Sequence, residues 1–158
     1  MNIDEPEPSG VDDALRLSSD AGRIVLESGG ETYRAEDVMG AIASSLGGLD
    51  PDSYATPTGF IASCDDAAGR SHAVVKRIRK RQMNLQKIAR VNALARDAVS
   101  GRIDQDGVER ELCAIDMIGS YPEPLPTLGA ACATGFFCVL FGGAWNDALV
   151  SAAIGIVI

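Results

Sequence analysis

Residues that could bind a small charged molecule gather at the start of the second predicted helix. Glu31 and Arg34 stand close together there, with further carboxylates at Glu36 and Asp37. A guanidinium can bind a carboxylate through two parallel hydrogen bonds, so Arg34 could bind a substrate carboxylate or gate an entrance. The alternative is a capped helix start in which Arg34 pairs with a neighbouring glutamate. The residues alone leave both interpretations open.

Three further polar side chains interrupt segments that are otherwise apolar. Thr56 and Thr58 lie two positions apart within a predicted strand, where their hydroxyls mark either a polar binding surface or a structural bulge. Asn92 lies on the apolar face of a predicted helix. A buried amide without a partner costs about 1–3 kcal/mol, so Asn92 must hydrogen-bond either to backbone or to a ligand. With Glu31 and Arg34, these are the candidates for substrate binding or gating.

Asp147 stands between two uncharged runs near the end of the sequence. The first run extends from Pro124 to Asn146 and the second from Ala148 to Ile158. Ionisable groups within membranes are costly and tend to be functional. Asp147 is therefore either a helix cap at an interface or a proton-coupling group.

A basic cluster breaks the acidic character of the chain, whose net charge is −8. Neither an aromatic platform nor a recognised binding motif accompanies it, so nucleic-acid binding is not predicted. Attraction to anionic lipid on the cytoplasmic leaflet is the favoured functional interpretation, and a solvated edge is the alternative. The cluster consists of Lys76, Arg77, Arg79, Lys80 and Arg81.

The residues that could support catalysis or metal binding are few. The four cysteines show no CxxC spacing, and His72 is the single histidine. Neither a metal site nor a cofactor is predicted from this set. Cys64 and His72 could be imagined as nucleophile and base, but nothing orients the pair. The prediction is a protein that is not an enzyme.

The apolar periodicity predicts an α+β fold in which about four helices flank a small β-hairpin or sheet. Asn84 is expected to cap the third helix, and Asp104 the fourth. The predicted helices are Val11–Ser28, Tyr33–Leu46, Leu85–Val99 and a fourth that carries Val108, Leu112, Ile115 and Ile118. The predicted strands are Tyr54–Cys64, bulged at Pro57–Gly59, and Ser71–Ile78.

The end of the chain predicts an α-helical transmembrane segment that is truncated. Neither Lys nor Arg follows Arg110, and a bilayer core of about 30 Å needs roughly 20 mostly apolar helical residues. The predicted first span is about 124–144, and the second, incomplete, starts at about 147. The predicted domains are a disordered acidic tail (1–10), a cytoplasmic α+β domain (11–121) and a membrane segment (122–158). A basic, apolar targeting signal is not found at the N-terminus, which favours the cytosol for the soluble part.

Four stretches of this sequence resemble the threonine/serine exporter family, the ThrE/YjjP-like proteins. The stretches are AGRIVLESGGETYRAEDVM (21–39), ATPTGF (55–60), NLQKIARVNALAR (84–96) and FGGAWNDAL (141–149). They occur in the family's order and, with the sequence around them, cover residues from about 14 to 158. Two departures are small: Gly30 stands where the family usually has Ala, and Ala95 where it often has Ser.

The resemblance implies a cytoplasmic N-terminal domain followed by about five membrane helices, sometimes paired with a second, smaller membrane subunit. It implies a secondary exporter in the cell membrane, linked to the proton motive force, that exports threonine, serine or dicarboxylates such as succinate. Membrane lipid, other membrane helices and a second copy of the chain are the expected partners. The chain is expected to be a fragment or a truncated copy. The contrasting hypothesis is a membrane-tethered regulatory or ligand-sensing domain without transport activity.

Overall fold

A computed structural model describes residues 10–119 and 124–157 of the chain. The chain divides into two compact units, Met1–Ile118 and Gly119–Ile158. The predicted acidic tail, except for Gly10, lies outside the described residues, and so does the predicted boundary at 121–122. Each unit is described separately.

Four helices and three strands form the described part of the first unit. In chain order they are α1 (Gly10–Glu27), α2 (Thr32–Ser45), β1 (Leu49–Thr56), β2 (Gly59–Asp65), β3 (Ser71–Arg77), α3 (Leu85–Val99) and α4 (Gln105–Asp116). Both predicted caps are confirmed. The Asn84 side chain accepts a hydrogen bond from the Lys87 amide at 3.1 Å, and Asp104 accepts one from the Gly107 amide at 2.9 Å. Each cap satisfies an amide that has no partner within its own helix.

The three strands form an antiparallel sheet in the order β1-β2-β3, where the sequence predicted a hairpin. The prediction of one bulged strand from Tyr54 to Cys64 is wrong. Thr56 pairs with Gly59 across a two-residue turn, so this stretch contains the end of β1 and most of β2. Gly59 is needed at the turn, because a Cβ there would lie 2.7 Å from the Lys76 carbonyl oxygen. The Pro-Thr pair thus reverses the chain instead of bulging it.

The core of the first unit lies between its helices and one face of the sheet. Strand β2 alternates as expected for a half-buried strand, since Phe60, Ala62 and Cys64 are buried while Ile61 is exposed. Helices α1 and α2 contribute the largest buried side chains, and α4 adds one more. These fully buried residues are Leu17, Ile24, Leu26, Met39, Ile42 and Ile115.

The second unit contains α5 (Pro124–Leu140) and α6 (Trp145–Val157), and the predicted transmembrane segment is wrong. Within residues 10–119 and 124–157, no helix is both long and apolar enough to cross a membrane. The 17 residues of α5 cover about 26 Å at a rise of 1.5 Å per residue, less than a bilayer core of about 30 Å. The predicted span 124–144 fails because Gly142 adopts a positive φ of 86° and ends the helix. The predicted second span, from 147, falls in α6, which has 13 residues.

Small residues set the contact between α5 and α6. A Cβ at Gly135 would lie 3.3 Å from the Ala148 oxygen, and one at Gly155 would lie 3.0 Å from the Ala130 oxygen. The Thr134 hydroxyl lies 3.0 Å from the Ser151 carbonyl oxygen on the facing helix. Small side chains therefore allow the two backbones to approach closely, as in other helix pairs of this kind.

Candidate functional site

Glu31 and Arg34 form a local ion pair at the start of α2. The Arg34 Nε donates to Glu31 Oε2 at 2.9 Å, and the guanidinium lies 5.9 Å from the centre of the Tyr33 ring. The Glu31 backbone amide, and then the Arg34 guanidinium, hold the pKa of the Glu31 carboxyl below its ordinary value. Both side chains are substantially exposed. Arg34 could exchange this partner for a ligand carboxylate at small cost, since exposed pairs contribute little stability.

Glu36 ties α2 to the sheet near the predicted threonines. Its Oε1 accepts a hydrogen bond from the Ala55 amide at 2.7 Å, which places β1 against α2. Thr56 uses its hydroxyl within the β1–β2 turn, where it donates to the Gly59 carbonyl at 2.9 Å. Thr58 is exposed at the tip of the same turn. Of the two hydroxyls, that of Thr58 is the more accessible to a ligand.

Asn92 is half-buried on α3 and lines a groove between α3 and α2. Its side chain has no hydrogen-bond partner among the described residues. The backbone partner that was one of the two predictions for this amide is thus not found in the described part of the chain. The five predicted binding or gating residues occupy three features: the start of α2, the β1–β2 turn and the α2–α3 groove.

The five basic residues after β2 do not act as one cluster. Lys76 lies 3.6 Å from an Asp20 carboxylate oxygen on α1. Arg81 donates to the carbonyls of Leu26 and Gly30, at 3.1 and 3.2 Å, and so caps the C-terminal end of α1. The side chains of the other three have no hydrogen-bond or ion-pair partner among the described residues: Arg77, Arg79 and Lys80. Only these three are free to contact an anionic surface.

Asp147 lies in the first turn of α6 and is exposed. Its Oδ2 accepts a hydrogen bond from the Ala144 amide at 3.1 Å. This is the geometry of a carboxylate that reaches back to an amide at the helix start. A capping contact therefore exists, and it leaves the other carboxylate oxygen open to solvent or to a proton.

Cys64 and His72 face each other across β2 and β3. The thiol is buried, and burial raises its pKa, which keeps it protonated. The two ring nitrogens of His72 lie instead near carboxylates, with Nδ1 at 2.7 Å from Asp12 Oδ1 and Nε2 at 3.4 Å from Asp66 Oδ2. A thiol without an activating base is a poor nucleophile, so this pair does not form a catalytic dyad.

Asp66 organises the turn between β2 and β3. Its Oδ1 accepts the amides of Ala68 and Arg70 at 2.8 and 2.9 Å, and its Oδ2 accepts the Arg70 Nε at 2.7 Å. The Arg70 amide, followed by the Arg70 guanidinium, holds the pKa of the Asp66 carboxyl well below its ordinary range. Asp66 is not among the residues singled out from the sequence, although an Asp-Asp-x-x-Gly turn is a recognisable signal.

The chain matches the family described as "Putative threonine/serine exporter" over residues 16–158, a range that includes parts of both units. Among curated proteins and solved structures, none matches significantly. The family match confirms the resemblance found in the sequence. The family consists of membrane transporters that act on small molecules, and it is not a family of enzymes. The chain belongs to this threonine/serine exporter family.

Proposed function

We propose that this chain functions in the export of threonine and serine, with small dicarboxylates as a second substrate class, driven by the proton motive force. The observation that carries the proposal is the family match, which extends through residues 16–158. Transport by such a protein needs no covalent chemistry. Coupling arises because protonation or substrate binding favours one access state over the other.

The first unit, in this proposal, lies on the cytoplasmic side of the cell membrane. The three basic residues without partners, Arg77, Arg79 and Lys80, support this orientation, because anionic lipid on that leaflet attracts exposed positive charge. The second unit exposes large apolar side chains, among them Phe136 and Phe141. We expect these side chains to contact membrane lipid, and further helices or a second small subunit to complete the transport path.

Asp147 is the proposed proton-carrying group of the second unit. It is the only charged residue between 124 and 157. Its contact with the Ala144 amide uses one carboxylate oxygen, and asparagine can make the same contact without a proton that titrates. Asp147→Asn thus separates the proton-carrying role from the capping role.

The test is efflux of threonine from loaded cells that express this chain together with the helices or subunit that complete the transport path. We expect faster efflux than from cells with the empty vector, and loss of the difference when a protonophore collapses the proton gradient. Asp147→Asn should lose most of the efflux, as should Asp147→Ala. If Asp147→Asn keeps efflux while Asp147→Ala loses it, the carboxylate is only a cap.

Efflux that equals the vector control would overturn the exporter proposal. That outcome would favour the alternative, a regulatory or ligand-sensing protein at the membrane without transport activity of its own. Replacement of threonine by serine and by succinate in the same assay ranks the substrate classes.

A further inference from the structure

The groove between α2 and α3 offers a place in the first unit for a small ligand with both polar and apolar parts. It has a volume of about 360 Å³, at the lower end of the roughly 300–1,000 Å³ typical of small-molecule sites. Its apolar wall is built from short side chains, which are Val38 and Ala41 on α2 with Ala95 and Val99 on α3. Short side chains leave room for a small ligand, such as an amino acid with a small side group.

Two opposite charges line this groove without pairing. Asp37 on α2 and Arg96 on α3 both border it, and neither has a hydrogen-bond or ion-pair partner among the described residues. Six other arginines of the first unit bind carboxylates, so the Arg96 guanidinium differs from these in keeping its positive charge unpaired among the described residues. Those six are Arg16, Arg23, Arg34, Arg70, Arg90 and Arg102.

Asn92 adds a third polar group to the same groove. Its amide is half-buried and has no partner in the part of the chain that the structure describes. An amide offers two donor hydrogens and an acceptor oxygen, and leaving such groups unsatisfied away from water is costly. Ser100, the remaining polar residue, is already occupied, since its hydroxyl donates to the Asp97 carbonyl at 3.0 Å. The free polar groups are thus Asp37, Asn92 and Arg96.

We propose that the α2–α3 groove binds a small α-amino acid as its zwitterion. Arg96 binds the ligand carboxylate, Asp37 binds the ammonium group, and Asn92 hydrogen-bonds to the carboxylate or to a side-chain hydroxyl. The short ligand side chain lies against Val38 and Ala95. Because Asp37 and Arg96 are exposed, their charges are screened by water, and the expected affinity is in the millimolar range. The choice of threonine as the ligand rests on the proposed export function.

The test is a titration of the full chain in detergent micelles with L-threonine, followed by amide chemical shifts in NMR spectra. We expect saturable shifts on α2 and α3. Asp37→Asn and Arg96→Gln should each weaken binding by roughly 3- to 10-fold. The matched controls are Asp106→Asn and Arg110→Gln, which replace exposed residues of the same types away from the groove and should leave the affinity unchanged.

Two threonine derivatives show which groove residue binds the ammonium group of the ligand and which binds its carboxylate. N-acetylthreonine lacks the ammonium group and threonine amide lacks the carboxylate, so both should bind more weakly than threonine. Asp37→Asn should then affect threonine but not N-acetylthreonine, and Arg96→Gln should affect threonine but not threonine amide. The spectra of the variants themselves report whether the fold is kept.

The proposal is overturned if threonine shifts no amides, if the shifts map outside α2 and α3, or if the groove variants bind like the controls. These failures are distinct from failure of the exporter proposal. Efflux without binding in the groove would remove this site alone. Binding in the groove without efflux would remove the transport function and leave an amino-acid-binding protein.

Discussion

The first unit buries large apolar side chains in a core of its own, whereas the second unit exposes most of its large apolar side chains. Leu17, Ile24 and Met39 are about 1 % exposed in the first unit. Phe136 and Phe141 are 81 % and 84 % exposed in the second. The buried positions of the α5–α6 pair are instead small, with Ala131 and Ala148 both at 7 %.

The two units consequently depend on different forces. The first unit buries a large apolar core and closes its surface with ion pairs between helices, such as Arg16–Glu109 at 2.9 Å and Arg23–Asp116 at 3.0 Å. Core burial of this kind is the dominant stabilising contribution in water. The second unit depends on the close approach of two backbones at Gly135 and Gly155. Its exposed apolar surface is of the kind that marks contact with a membrane or a partner.

The largest expected loss of stability comes from a substitution that creates a cavity in the core of the first unit. Ile24→Ala removes a fully buried side chain and should lower the free energy of unfolding of that unit by about 2–5 kcal/mol. Ile154→Ala makes the same chemical change at a position of α6 that is 55 % exposed, and it should cost less than about 0.5 kcal/mol. Hydrogen exchange, read separately for peptides of each unit, measures both. Equal costs for the two changes would contradict the contrast between the units.

Replacing two glycines of the second unit by alanine should change its stability by a smaller amount, and in opposite directions. Gly155→Ala places a Cβ 2.5 Å from the Thr134 hydroxyl and 3.0 Å from backbone atoms of α5, so it should destabilise the helix pair by about 1–3 kcal/mol. Gly129→Ala meets nothing within 4 Å and should stabilise α5 by about 0.5–1 kcal/mol. Exchange protection of α5 and α6 amides reports the sign of each change. Two changes of the same sign would show that close approach does not hold this unit together.

The smallest expected effect concerns pH and is confined to the first unit. The folded pKa of Asp66 is depressed, so its stabilising contribution is present above the unfolded pKa of about 3.9 and is lost as the pH falls below that value. Asp66→Asn should lower the unfolding midpoint at neutral pH, and the difference from the unchanged chain should shrink as the pH falls below about 4. The effect is small because the partner Arg70 is mostly exposed. A difference that grows on acidification would mean that the carboxylate is not stabilised by folding.

Features of this structure that depend on neighbouring residues could be predicted from the sequence, whereas features that depend on contacts between distant residues could not. Apolar periodicity predicts the helices of the first unit. The caps at Asn84 and Asp104 predict the starts of α3 and α4, because a cap acts on amides within the next few residues. The prediction of a span at 124–144 is wrong because an uncharged run suggests one continuous helix. In the structure, Gly142 adopts a left-handed conformation just after α5, and the helix ends there. The Pro57-Thr58 turn was missed because a strand interruption predicts a bulge and a reversal equally well.

Only one of the polar groups of the groove could be recognised from the sequence, because only local patterns are visible there. Asn92 was identified as unusual because it interrupts an apolar stripe, which is a local pattern. Asp37 and Arg96 were not identified as a pair, because they are distant in the sequence and share a groove only after α2 packs on α3. The one available signal was that Arg96 follows Asn92 by four residues and so lies on the same helix face.

The central claim is that the amino acid exported by this protein is first bound in the α2–α3 groove. The most direct test is threonine efflux from loaded cells that express Arg96→Gln, compared with cells that express Arg110→Gln at the same level. The claim predicts that Arg96→Gln slows efflux several-fold at low internal threonine and approaches the control rate at high internal threonine, because only binding is weakened. Equal efflux from both variants at every internal concentration would contradict it.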